Sequence, residues 1–173
     1  SGSDPVQLIE SAGRLVFQAV TDDTGYRLWI AEPVAGGPLA APVRLSNLAF
    51  SDDDAINRTS ARPCAHLPAL GGVLVFPGFR QASGLELYRV ASPSGYAELV
   101  YDIRLGTLGS SPAQLARLGD GAVFSARNEL GVEPWVSAGH LPGTRPMADL
   151  VPGRSGSNPG PFLVAQGAEA TLF

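Results

Sequence analysis

The sequence predicts an all-β chain built from tandem four-stranded units of about 48 residues. Three observations carry that reading. Glycine and proline are abundant, 21 and 15 among 173 residues. A chain that turns so often favours many short strands over long helices. Apolar residues make up 45% and charged residues only 16%, which suits a packed core and argues against disorder. Finally, three landmarks recur along the chain in one order and at a nearly constant interval.

The first landmark is an opening of small residues, Pro and Leu: "GSDPVQL" at 2–8, "SARPCAHL" at 60–67, "GSSPAQL" at 109–115 and "GSNPGPFL" at 156–163. The second is an apolar segment ending in Phe17, Phe76, Phe124 and Phe173. The third is an aromatic segment marked by Trp29, Tyr88 and Trp135. Phe76 to Phe124 is 48 residues, Phe124 to Phe173 is 49, and Tyr88 to Trp135 is 47. Phe17 to Phe76 and Trp29 to Tyr88 are both 59, so two landmarks place the same excess between the first and second units. The segment "AFSDDDAINRT", 49–59, accounts for it as an insertion.

The elements then follow in order within a single repeat domain spanning 1–173. Unit one is 1–56, with the insertion 49–59 at its end; unit two is 57–106; unit three is 107–153; a half unit occupies 154–173. In unit three the four apolar segments are "AQLARL", "AVFSA", "EPWVSA" and "MADLV". Their length, aromatic content and partial alternation suit strands, and the Gly, Pro, Asp and Ser between them suit tight turns. "LVYDIRLG" closes unit two as "PMADLVPG" closes unit three, while unit one has "APVRLSNL" there. Four strands in such a unit is the arithmetic of a β-propeller blade, and three and a half units form a partial or open array, since closed propellers use about 4–8 blades. The alternative is a β-trefoil, which also takes three units but has no place for the surplus hairpin at 156–173.

The unit resembles the ELWxxDGT repeat of bacterial, largely surface or secreted proteins, whose pattern runs G-S-x-P, L, G-G-x-L-F-F, E-L-W-x-x-D-G-T, G-T, V-x-D-I-x-P-G. "SSPAQL", "VFSA", "EPWVSAG", "GTRP" and "ADLVPG" carry the resemblance best, and it spans essentially the whole chain. It implies propeller-like β structure and an extracellular or cell-surface location. At the Asp-Gly-Thr positions stand Glu32-Pro33-Val34, Ala91-Ser92-Pro93 and Ala138-Gly139-His140, so no role resting on that Asp carries over. The later Asp of the pattern is matched by Asp102 and Asp149, with Ser46 in unit one.

Each chemical candidate has a bland competitor. Asp52, Asp53 and Asp54 in the insertion are the carboxylates that would offer oxygen ligands to Ca²⁺. Their spacing lacks the alternation of a calcium loop, and a solvated loop tip is the competing reading. No other cofactor is implied. Asp22-Asp23 and Glu129/Glu133 read as turn and surface charges. Trp29, Tyr88 and Trp135 would stack on a sugar face, but recurrence at one position favours packing between units. Cys64 and His66 share a strand face, yet Cys64 stands where other units carry Ala113 and Gly160 and reads as a small packing residue. His140 lies in a Gly/Pro-rich turn. Asp102 and Asp149 are expected to hydrogen-bond the backbone of the following turn.

Some classes drop out. Twelve scattered Arg and no Lys give no basic footprint for nucleic acid. No apolar run reaches the roughly 18 residues of a membrane span. One Cys excludes an intrachain disulfide framework. The chain shows no signal peptide, so the extracellular reading takes that segment as removed or excluded. No GxSxG, HExxH or phosphate-binding glycine loop is present. The leading expectation is therefore a non-enzymatic extracellular or surface module for adhesion, assembly or ligand binding. Its partners are the remainder of a longer repeat array or further copies of itself. The alternatives are a carbohydrate-binding lectin and a hydrolase or lyase with a loop-borne site.

Overall fold

Short alternating segments separated by turn residues favour pairing of each strand with its immediate neighbour in the chain. The computed structural model describes residues 5–11, 13–20, 26–44, 65–67, 72–90 and 97–163, and the insertion 49–59 and the chain end 164–173 lie outside them. Among the described residues the chain is all-β, with three antiparallel sheets, each made from four strands consecutive in sequence. Sheet 1 comprises β1 (Val6–Ser11), β2 (Arg14–Val20), β3 (Tyr26–Ala31) and β4 (Val43–Arg44). Sheet 2 comprises β5 (Ala65–Leu67), β6 (Val73–Arg80), β7 (Gly84–Val90) and β8 (Glu98–Tyr101). Sheet 3 comprises β9 (Ala113–Leu118), β10 (Gly121–Asn128), β11 (Gly131–Ser137) and β12 (Thr144–Pro146). Residues 156–163, where the sequence suggests the first strand of a further hairpin, run without strand structure.

Register repeats from sheet to sheet. Phe17 lies opposite Trp29, Phe76 opposite Tyr88 and Phe124 opposite Trp135, each pair on the two central strands of its sheet. The Phe and aromatic landmarks thus mark one cross-strand pair, seen from two points in the chain.

Side chains on a strand alternate between the two faces, and the core shows which face meets which neighbour. Val16, Leu28 and Ile30 of sheet 1 pack with Leu74, Phe76, Tyr88 and Val90 of sheet 2. The intervening residues of sheet 2, Val73, Val75 and Leu87, pack with Phe124, Ala126 and Trp135 of sheet 3. Sheet 2 is therefore the middle layer, apolar on both faces. Each inner aromatic pair points back toward the preceding sheet, as Tyr101 of β8 shows by lying 6.4 Å from the ring of Trp135. Arg89 adds a polar tie, binding Glu98 within its own sheet and the Gly139 carbonyl of sheet 3.

Trp135 is 3% exposed, with Phe124 stacked on it at 6.5 Å. Trp135→Ala should cost roughly 3–5 kcal/mol, the range for removing a large core aromatic. Chemical denaturation of the full chain measures it, and a change below about 1 kcal/mol would contradict this placement.

Candidate functional site

Two glutamates are the most heavily buried carboxylates on the described residues, and they occupy the same place in sheets 2 and 3. Glu86 is 0% and Glu133 1% exposed. Each stands two residues before its unit's aromatic, so alternation puts it on the buried face beside Tyr88 or Trp135. A carboxylate there is costly unless its oxygens are satisfied. Both are.

Glu86 Oε1 accepts from the Ser110 amide at 2.8 Å and the Arg104 amide at 3.1 Å, and Oε2 accepts from Ser110 Oγ at 2.5 Å. Forty-seven residues on, Glu133 Oε1 accepts from the Ser157 amide at 2.8 Å, while Oε2 accepts from the Leu150 amide at 3.2 Å and Ser157 Oγ at 2.6 Å. The donors come from the segment that closes one unit and from the serine that opens the next. Each carboxylate therefore clasps the connector between units.

Glycines let the connector come close enough. At Gly84 an added Cβ would lie 2.5 Å from the Gly109 amide nitrogen, and at Gly131 it would lie 2.5 Å from that of Gly156. All four have positive φ, between 65° and 96°, a region that only glycine enters without strain. The connector's next amide then bonds back to the hairpin, Ser111 to the Leu85 carbonyl and Asn158 to the Val132 carbonyl, both at 3.0 Å. Ser111 and Asn158 themselves have positive φ, 53° and 45°.

This geometry corrects two expectations. Glu133 is a buried clasp, whereas pairing it with Glu129 as a surface charge overlooked that it shares a face with Trp135. Asp102 Oδ1 is buried without a hydrogen-bond partner, because the Arg104 amide that an Asp-turn would use donates to Glu86 instead. Asp149 is exposed, and the amide that follows it goes to Glu133.

The sequence-derived site residues are not brought together. Tyr88 is enclosed between sheets 1 and 2, with its hydroxyl 3.0 Å from Ser83 Oγ and the Arg80 guanidinium 5.7 Å above its ring. Trp135 is enclosed between sheets 2 and 3, and Trp29 is half-buried on the other side of sheet 1. Asp52, Asp53, Asp54 and Cys64 lie outside the described residues. Among the described residues no three His, Cys, Asp or Glu side chains gather as for a metal. His140 is exposed and caps a short 3-10 turn (Leu141–Gly143), Nδ1 accepting from the Gly143 amide at 3.2 Å. At the Ala138-Gly139-His140 turn, Ser137 Oγ meets Thr144 Oγ1 at 2.7 Å and accepts from the Gly139 amide, so hydroxyls hold the bend.

Comparison of the chain with known proteins found no match among protein-family models, curated proteins or solved structures.

The two clasps differ electrostatically. Burial pushes the Glu86 carboxyl above its ordinary value, against the pull of the Ser110, Arg104 and Ile103 hydrogen bonds. Burial acts the same way on Glu133, but hydrogen bonds from Ser157, Leu150 and Val151 outweigh it and hold that carboxyl below its ordinary value. An unfolded Glu titrates near about 4.3. The folded state then holds fewer protons at Glu133 just below that point, and linkage fixes the sign. Stability from Glu133 is complete above about pH 4.3 and is lost as pH falls through its folded value. Stability linked to Glu86 is complete below about pH 4.3 and is lost as pH rises through its higher folded value. Urea midpoints across acidic to neutral pH check this. Glu133→Gln should lose its deficit against the wild type on acidification, and Glu86→Gln should gain on the wild type as pH rises. Parallel curves for both variants would contradict the assignment.

Proposed function

We propose that this chain is a non-enzymatic repeat module, with ELWxxDGT-like units stacked as blades of a propeller-like array, serving assembly or adhesion outside the cell or at its surface. The use made of the buried carboxylates supports it most strongly. A general acid or base must reach a proton on its substrate, yet Glu86 and Glu133 both have their two oxygens occupied by the connector. The residues that a catalytic site would perturb are committed to joining units.

The blade reading draws on the stacking itself. Three separate meanders, each of four consecutive strands, lie face to face in chain order. A trefoil instead merges strands from its three units into one barrel. The remainder of the array, in further chain or further copies, is the partner this reading assigns.

Two measurements test it. Serine- and cysteine-directed activity probes should label the folded chain no faster than they label the unfolded one. Stoichiometric labelling of one residue in the folded form alone would contradict the non-enzymatic reading. Fractionation of producing cells, followed with an antibody to residues 97–163, should place the protein in the extracellular or surface fraction, and recovery only from the cytosol would contradict that location.

A further inference from the structure

We propose that the carboxylate clasp is a peptide-recognition site whose ligand is an extended Gly-Ser-x-Pro segment, and that it takes such a segment from another polypeptide when its own is withdrawn. Two occupied examples define the ligand residue by residue. Sheet 2 holds Gly109-Ser110-Ser111-Pro112, and sheet 3 holds Gly156-Ser157-Asn158-Pro159.

The glycine is required twice over. Gly109 and Gly156 are buried and have positive φ, 65° and 67°. A Cβ on either would strike the amide nitrogen of Leu85 or Val132. The serine is read by both oxygens of one carboxylate, its amide going to Oε1 and its hydroxyl to Oε2. Alanine in its place would keep the first bond and lose the second, at a buried charge where a missing donor is costly. The third residue is read through its main chain alone. Its N–H donates to the Leu85 or Val132 carbonyl while its side chain is exposed. Its φ is 53° in Ser111 and 45° in Asn158, so the site asks only for a residue that tolerates the left-handed region. Pro112 is buried and Pro159 half-buried, and a proline there leaves no amide to satisfy.

The chain also carries the negative case. Sheet 1 has Arg27 at the clasp position, and the next opening reads Ser60-Ala61-Arg62-Pro63. The receptor and the two residues it reads most strictly are absent together. None of the contacts to the motif requires that it belong to the same polypeptide. The remaining donors, the Arg104 and Leu150 amides, come from chain that precedes it. Covalent attachment supplies effective concentration, millimolar for a short link, so a free peptide binds once the attached segment is disabled.

The full chain with Gly156→Ala provides the test, since its own segment no longer fits and the sheet 3 site is open. The probe is the hexapeptide Gly-Ser-Asn-Pro-Gly-Pro, acetylated and amidated, followed by NMR of the Trp135 indole beside Glu133. It should shift that resonance saturably at millimolar concentration in the variant, and at least about tenfold more weakly in the wild type, whose own segment competes. A peptide with alanine for serine should bind at least about tenfold more weakly, and one with serine for asparagine within about threefold. Equal binding of the alanine peptide, or no saturable shift, overturns the proposal. If Gly156→Ala does not melt cooperatively, the hexapeptide is expected to restore the transition, and failure to restore it counts against the site equally. Ser157→Ala, a milder change, should show the same order of peptides. Failure of these tests leaves the non-enzymatic reading standing, because that reading requires only that the carboxylate oxygens be occupied by the attached connector.

Discussion

A carboxylate buried beside an aromatic ring tolerates its charge only if hydrogen-bond donors are brought to it. Here those donors come from the link between two sheets. Glu86 takes two main-chain amides and a serine hydroxyl from the connector to sheet 3, and Glu133 takes the same set from the chain that leaves sheet 3. At Glu133 satisfying the charge and fixing the connector are one event, while at Glu86 the same donors offset only part of the cost of burial. The path of the connector then sets where the next sheet starts, and so which faces meet. The paired glycines, Gly84 with Gly109 and Gly131 with Gly156, are what this geometry demands, since a side chain at any of them would strike main chain.

The aromatic face of sheet 3 depends on the same arrangement, whereas Phe76 and Tyr88 are buried against sheet 1, which has Arg27 where the clasp glutamate would stand. Phe76 with Tyr88 and Phe124 with Trp135 are buried because the previous sheet is held over them. Most of the favourable energy lies in this apolar contact, for which burial of each large aromatic is the main contributor. The clasp contributes direction. It costs desolvation and returns hydrogen bonds, so its net stabilisation is modest, but it selects one placement of the connector over others that would bury the same area.

Much of this was legible in the residues. Short alternating segments and their spacing indicated strands of four per unit, and Trp29, Tyr88 and Trp135 stood out as packing positions by recurring, while Phe76 and Phe124 marked only the ends of apolar segments. The clasp was not read, although its signal was present. "LELY" and "VEPW" carry Glu two residues before the aromatic, and "GSSP" and "GSNP" carry the serine. Where unit one has Arg27 in place of Glu, the following connector has Ala61 in place of Ser, so the two are lost together. A local reading treats Glu as a surface charge, and only the alternation that buries Tyr88 shows that Glu86 must be buried with it. The expectation for Asp102 failed for a related reason: a short-range Asp turn competed for the Arg104 amide with a longer-range acceptor, and the longer-range one won. Trp29 illustrates a further limit, because how much of a ring is covered depends on the neighbouring sheet and not on its own strand.

The central claim is that Glu133 and Ser157 act together to hold the connector, and a double-mutant cycle measures it most directly. Glu133→Gln, Ser157→Ala and the double variant are compared by chemical denaturation of the full chain at neutral pH. A hydrogen bond to a buried charge predicts a coupling of about 1.5–3 kcal/mol. Additive single effects, with coupling near zero, would show that the carboxylate and the serine are neighbours without being a clasp.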